Sequence, residues 1–231
     1  MDRATLAMHI DQTLLKPTVG YKAAAEWMEA SAQAGFAALC VSPFLVPLAT
    51  QRLAGTGTLV CSVCGFPLGY NNTESKAEEA AHLVQLGCHE VDMVMNIAAL
   101  LEDERAFVKD DIAAVVEAVA EESSGASHVK VILETGYLSP EQVALASLLA
   151  KEAGAHYVKT STGFGPRGAS TEDVAIMREA VGPEIGVKAA GGIRDLDTAL
   201  AMIEAGADRL GTSSGLEILE ALEARSRTSE R

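Results

Sequence analysis

Positive charge is scarce in this 231-residue chain: 18 Lys and Arg stand against 32 Asp and Glu, for a net charge of −14. A field of that sign repels phosphate backbones and anionic lipid, which argues against nucleic-acid and membrane-surface partners. A small anionic substrate would need a local basic site set against the average. No run reaches the roughly 18 apolar residues of a membrane span. The start, Met1-Asp2-Arg3-Ala4, has no basic region followed by an apolar stretch. The expectation is a soluble, cytoplasmic protein. Cysteine is also sparse, with four in all: Cys40, Cys61, Cys64 and Cys88. Cys61 and Cys64 form a C-x-x-C, a spacing used in redox sites and in half of a zinc site. They lie inside the strand-like run Leu59–Gly65, and no second pair or suitably spaced histidines complete four ligands. Buried thiols in a reducing compartment are expected, with no metal and no cofactor.

What is abundant is alternation. Helix end, glycine and short apolar strand recur at Gly35–Val41, Gly87–Val94, Gly154–Lys159 and Gly206–Leu210. Glycine after a helix supplies the left-handed residue that turns the chain into the next strand. Further strands are predicted at Leu59–Cys64, Val129–Glu134 and Gly186–Ala190, with a weaker one around His9–Asp11. Ser139-Pro140-Glu141-Gln142 reads as a capping box with proline at the first helical position. Ser170-Thr171-Glu172-Asp173 opens another helix, and Thr73–Leu86 and Asp195–Ala205 behave alike. Strand–helix alternation without a linker predicts parallel strands with helical crossovers. The expected fold is α/β, one (β/α)8 TIM barrel over residues 1–231 with a polar C-terminal tail from about 224. An open sheet stays as the alternative because the first strand is weak.

Alternation of faces along a strand sorts the charges. Val91, Met93 and Met95 suit the helix-facing layer, so Glu90, Asp92 and Asn96 point inward. Lys159 beside Val158, and Lys188 beside Val187, point inward as well. Glu134 and Asp11 end their strands on the same side. Ionisable groups thus converge at the carboxyl-end mouth, where barrel enzymes place catalysis; the bland alternative is a set of structural ion pairs, which is expensive to bury.

Two inward lysines on neighbouring strands suit imine chemistry. A free lysine titrates near 10.4, and bringing an amine to roughly 7 requires about 4–5 kcal/mol. A second ammonium about 6–7 Å away, at an effective dielectric of ~20, contributes roughly 2.5 kcal/mol. Burial must provide the rest. A phosphate seat is expected where Gly191-Gly192 follows the seventh strand and Gly211-Thr212-Ser213-Ser214-Gly215 follows the eighth and opens the last helix.

These residues resemble a known family, deoxyribose-phosphate aldolase. The matching segments, in collinear order from about residue 8 to 220, are His9–Pro17, Val60–Gly69, Glu90–Asn96, Lys130–Thr135, Val158–Pro166 and Val187–Arg194. The resemblance implies a cofactor-free, reversible cleavage of 2-deoxy-D-ribose 5-phosphate to D-glyceraldehyde 3-phosphate and acetaldehyde. By this likeness Lys159 is the Schiff-base lysine, Lys188 the second lysine that perturbs it, and Asp92 the carboxylate that moves protons through a water. Asp11 and Thr13 fall where the family recognises sugar hydroxyls. Gly163, Gly191, Gly192, Ser213 and Ser214 fall where it holds phosphate, and Thr160 adjoins the substrate. A homodimer is the expected assembly. The chain departs from many relatives at Ala190, where they carry serine, at Arg167 and at Phe164, and its tail has no aromatic. Cys40 matches a family cysteine near the mouth and reads as packing. The rivals are another Schiff-base aldolase on the same scaffold, and a non-catalytic sugar-phosphate sensor.

Overall fold

The computed structural model describes residues 1–229, and in it eight parallel strands close into a barrel in chain order. The strands are β1 (Ile10–Leu14), β2 (Ala38–Val41), β3 (Leu59–Cys64), β4 (Glu90–Val94), β5 (His128–Ile132), β6 (Tyr157–Lys159), β7 (Gly186–Ala190) and β8 (Arg209–Thr212). Closure is made by β1 against β8, with Ile10 opposite Leu210 and Asp11 opposite Gly211. The strand that was weakest in the sequence is thus real, and it removes the open-sheet alternative. It runs on to Leu14, past the span expected of it.

Helices α1 (Arg3–Ala7), α2 (Tyr21–Ala32), α3 (Val46–Leu53), α4 (Thr73–Gln85), α5 (Ile97–Leu101), α6 (Arg105–Ser123), α7 (Pro140–Glu152), α8 (Thr171–Val181), α9 (Leu196–Glu204) and α10 (Gly215–Ser229) surround it. Several of their starts are fixed by side-chain caps. The Ser139 hydroxyl accepts the Gln142 N–H at 3.3 Å, and the Gln142 side chain returns to the Ser139 N–H at 2.9 Å, the full capping box. Asn72, Ser170 and Asp195 cap α4, α8 and α9 through their side-chain oxygens alone. Each cap is worth about 1 kcal/mol. The repeated glycine after a helix has its physical reason at Gly206, whose φ of +114° lies where side chains are rarely tolerated.

Most apolar burial lies between barrel and helices, while the small cluster Ala38, Cys40, Cys61 and Val63 sits apart from it. The C-x-x-C is split by strand parity. Three residues apart on β3, Cys61 turns to the barrel interior and Cys64 to the α4 side, its Sγ 3.2 Å from the Lys76 carbonyl. All four thiols are free and buried, and burial pushes those of Cys61 and Cys64 well above their ordinary range.

The polar segment from about 224 is not a tail. It is the last stretch of α10, continuous with a helix whose Ile218, Leu219 and Leu222 pack on the core. A polar stretch without glycine or proline extends a helix once an apolar stripe anchors it. Arg3 pairs with Glu223 at 2.6 Å, tying α1 to α10. Glu230 and Arg231 lie outside the described residues. Among the described residues, no helix is long and apolar enough to cross a membrane.

At the amino-terminal ends of β5 and β6, His128 and His156 stack with ring centroids 4.5 Å apart, and His156 Nδ1 accepts the Val129 N–H. Burial, and then the charge of His128, lower the His156 pKa from 6.5. A histidine lowered on folding contributes stability that is present above 6.5 and lost as pH falls below it. The melting temperature is therefore expected to drop between pH 7 and pH 5, and to drop less in His156→Gln. Equal slopes in the two proteins would remove this pair from the acid response.

Candidate functional site

Strand register brings the inward charges together. Asp92 lies opposite Lys130, Lys159 opposite Lys188, and Lys188 opposite Arg209. Asp92 is the hub and is fully buried. Its Oδ2 accepts from Lys159 Nζ at 2.7 Å and from Lys188 Nζ at 2.7 Å. Its Oδ1 accepts from Lys130 Nζ at 2.9 Å and from the Cys61 thiol at 3.2 Å. Lys188 also faces Asp11 at 2.5 Å, while Lys130 reaches Glu90 at 2.7 Å. Arg209 binds Asp11 and, at 3.0 Å, Glu90. The Tyr157 ring lies near Lys130 and Arg209, 6.0 and 5.8 Å from its centroid.

The cluster sets four cations, Lys130, Lys159, Lys188 and Arg209, against three carboxylates, Asp11, Glu90 and Asp92. Burial is the largest influence on each of the shifted groups and disfavours their charge, but the partners outweigh it. Lys130, Lys159 and Lys188 hold Asp92 well below the usual carboxylate range. Lys188, Lys130 and Arg209 bring Asp11 down to about 2. Asp11 and Asp92 raise Lys188, and Asp92 and Glu90 raise Lys130. The sequence places Lys188 as a second ammonium beside Lys159. The two nitrogens are indeed close, each 2.7 Å from one oxygen. That oxygen is a carboxylate, however, and it stands between them.

Above the cluster, at the carboxyl ends of β1, β6, β7 and β8, opens a cavity of about 590 Å³. Of the charged residues in the cluster, Lys159 alone lines it. Thr13, Gly163, Gly191, Gly192, Ser213 and Ser214 line it as expected. Gly163, Gly191 and Gly192 have φ of +88°, +89° and +83°, so their backbone turns in ways a side chain would strain. The start of α10 is partly spent. The Gly215 N–H donates to Gln12 Oε1 and the Ser214 N–H to Thr212 Oγ1, each at 2.9 Å.

Two expected substrate-binding residues, Asp11 and Thr160, and two residues expected to point inward, Asn96 and Glu134, sit elsewhere. Asp11 is sealed in the ion cluster and does not line the cavity, because β1 runs on for three residues beyond it. Thr160 is buried and bridges β6 to β7, its hydroxyl donating to the Ala190 carbonyl at 3.1 Å and accepting the Ala190 N–H at 3.0 Å. Asn96 lies past the end of β4 and caps α5. Glu134 lies past the end of β5 and binds Thr162 rather than the lysines.

Sequence reasoning missed Lys130 and Arg209. Lys130 was legible, since Val129 and Val131 take the helix-facing parity of β5 and leave Lys130 inward. Arg209 was hidden at the foot of β8, where its side chain reads as solvent-facing. Lys16 and Arg194 were also overlooked; both line the cavity and bring the local positive charge that an anionic ligand would need. Phe164 lines the wall and packs edge-on against Phe66, with centroids 5.5 Å apart.

Comparison with known proteins extends over nearly the whole chain. Residues 5–221 match the model of the DeoC/LacD family aldolases. A deoxyribose-phosphate aldolase of Caldanaerobacter subterraneus subsp. tengcongensis is 50% identical over 215 residues, 93% of this chain and 92% of that protein. One from Thermococcus kodakarensis is 50% identical over 222 residues, covering 95% and 98%. The tetrameric deoxyribose phosphate aldolase of Aeropyrum pernix superposes with a TM-score of 0.88 at 31% identity, covering 97% and 93%.

Proposed function

The chain belongs to the DeoC/LacD family of aldolases, and from that premise we propose that it cleaves 2-deoxy-D-ribose 5-phosphate reversibly through a Schiff base on Lys159. The observation that carries this reading is that one lysine of a buried, over-positive cluster opens into the cavity. Four cations over three carboxylates leave one surplus charge, and release of one proton makes the cluster neutral. Arg209 cannot serve, since guanidinium stays protonated. Lys130 is pinned by Glu90 and Asp92, and Lys188 by Asp11 and Asp92. Among the described residues, Asp92 is the one carboxylate that Lys159 meets. The amine that faces the substrate is the one held by the fewest carboxylates.

In this reading the Lys159 amine adds to the C1 aldehyde, and the resulting carbinolamine loses water to give a protonated imine. That cation is an electron sink. Removal of the C3 hydroxyl proton lets the C2–C3 bond break, its electron pair moving into the imine to leave a two-carbon enamine, and D-glyceraldehyde 3-phosphate departs. Protonation of the enamine carbon and hydrolysis of the imine release acetaldehyde and restore the amine. Asp92 accepts and returns the protons of the Lys159 nitrogen, with Lys188 keeping it ionised. Being sealed below the cavity, Asp92 reaches the substrate only through that nitrogen or a small carrier. The phosphate lies against Gly163, Gly191, Gly192, Ser213 and Ser214, with Lys16 and Arg194 supplying charge. Thr13 meets a sugar hydroxyl.

A cleavage assay with deoxyribose 5-phosphate, ribose 5-phosphate and fructose 1,6-bisphosphate tests the substrate. The expected result is turnover of the first at least about a hundredfold above the others, in line with sites that discriminate by polar groups. Preference for either of the other two would assign the chain to a different aldol reaction.

A further inference from the structure

Glu134 is a carboxylate 1% exposed, and among the described residues its hydrogen bonds come from Thr162 alone, with no cation beside it. Its backbone is left-handed, at φ +54° and ψ +60°. For a residue with a side chain that conformation is strained, and it persists only where the surroundings fix it. The surroundings here are the β6–α8 loop. The Thr162 N–H donates to the carboxylate at 3.2 Å, the Thr162 hydroxyl donates to it as well, and that hydroxyl accepts the Phe164 N–H at 3.0 Å. Glycine at 165 is required by the same contact, because a Cβ there would stand 2.7 Å from the Glu134 carboxyl carbon.

The loop so pinned is also locked to the other side of the cavity. A Cβ at Gly168 would lie 2.1 Å from the Gly191 carbonyl oxygen, and the Ala169 N–H donates to that oxygen at 3.0 Å. Arg167 adds a third anchor by donating to the Thr135 carbonyl at 3.0 Å and pairing with Asp173. Glu134 therefore stands at the base of a loop pinned through Thr162 at one end and tied through Ala169 to the Gly191 carbonyl at the other.

We propose that Glu134 is a positioning residue that holds the Thr162–Phe164 backbone against the Gly191 turn, so that the two glycine turns form one preformed seat for the substrate's phosphate. Its carboxylate touches no substrate. It spends two strong acceptor bonds on the loop so that Gly163 keeps its turn before the anion arrives, which lowers the ordering cost of binding. The inference rests on the proposed substrate only for its kinetic arm.

Two variants test it. Glu134→Gln keeps the shape and loses a charged acceptor, and Glu134→Gly loses the side chain while suiting the left-handed backbone. Titration with inorganic phosphate is expected to show affinity falling roughly tenfold or more in both, the cost of losing hydrogen bonds to a charged group. Kinetically, KM for deoxyribose 5-phosphate should rise by a similar factor, with kcat changing far less. The kcat/KM ratio of the phosphorylated sugar to 2-deoxyribose should fall. Unaltered phosphate affinity in both variants, no phosphate binding by the wild-type protein, or equal losses on both sugars would overturn the proposal. Absence of wild-type turnover on deoxyribose 5-phosphate would instead refute the substrate, leaving the phosphate titration to decide the role of Glu134.

Discussion

Lys159→Leu is expected to abolish cleavage, by roughly 10⁴-fold or more, the scale seen when a nucleophile is removed. No other amine of the cluster can take its place, because Lys130 and Lys188 are fully buried and neither lines the cavity. The fold should survive. Asp92 keeps Lys130 and Lys188 as partners, and the cluster without Lys159 has equal numbers of cations and carboxylates. The measurements are the steady-state rate on deoxyribose 5-phosphate and thermal unfolding of the same preparation. Residual activity above about a hundredth of wild type would show that the lysine binds substrate without forming a bond to it.

Lys188→Leu should lower kcat by about 100- to 1,000-fold, the range of a lost acid–base partner. Without Lys188 the cluster has equal numbers of cations and carboxylates, so its surplus positive charge is gone. Asp92 Oδ2 keeps only Lys159, which tightens the pair that must open. The remaining activity should climb with pH more steeply than in the wild type. A merely structural role would lower the amount of folded enzyme and leave the profile unmoved. Stability should fall as well, by roughly 3–5 kcal/mol, because Asp11 and Asp92 each lose a buried partner. Wild-type kcat, or an unchanged pH profile, would contradict the charge argument.

The barrel was legible because each unit states itself several times over. Caps at Ser139, Ser170 and Asp195, glycines after helices, and short aliphatic strands agree with one another. Strand parity carries Asp92, Lys159 and Lys188 to one interior. What it could not carry was pairing. Parity tells which way Lys188 points but not that Asp11 and Asp92 close on it, since those contacts join strands 96 or more residues apart. The same blindness left Asp11 and Thr160 as expected ligands when both are spent below the cavity. Glu134 was placed with the lysines for a related reason. Parity holds only while the strand lasts, and the left-handed turn after Ile132 swings that side chain to the next loop. The polar end of α10 read as a tail because composition alone does not show the apolar stripe that anchors it.

The central claim is that one buried amine carries the covalent chemistry, and reductive trapping addresses it most directly. The protein would be incubated with acetaldehyde, reduced with borohydride, digested and mapped by mass spectrometry. A stable two-carbon adduct on Lys159, with Lys130 and Lys188 unmodified, is the predicted result. An adduct on Lys188, or none on any lysine of the cluster, would contradict it.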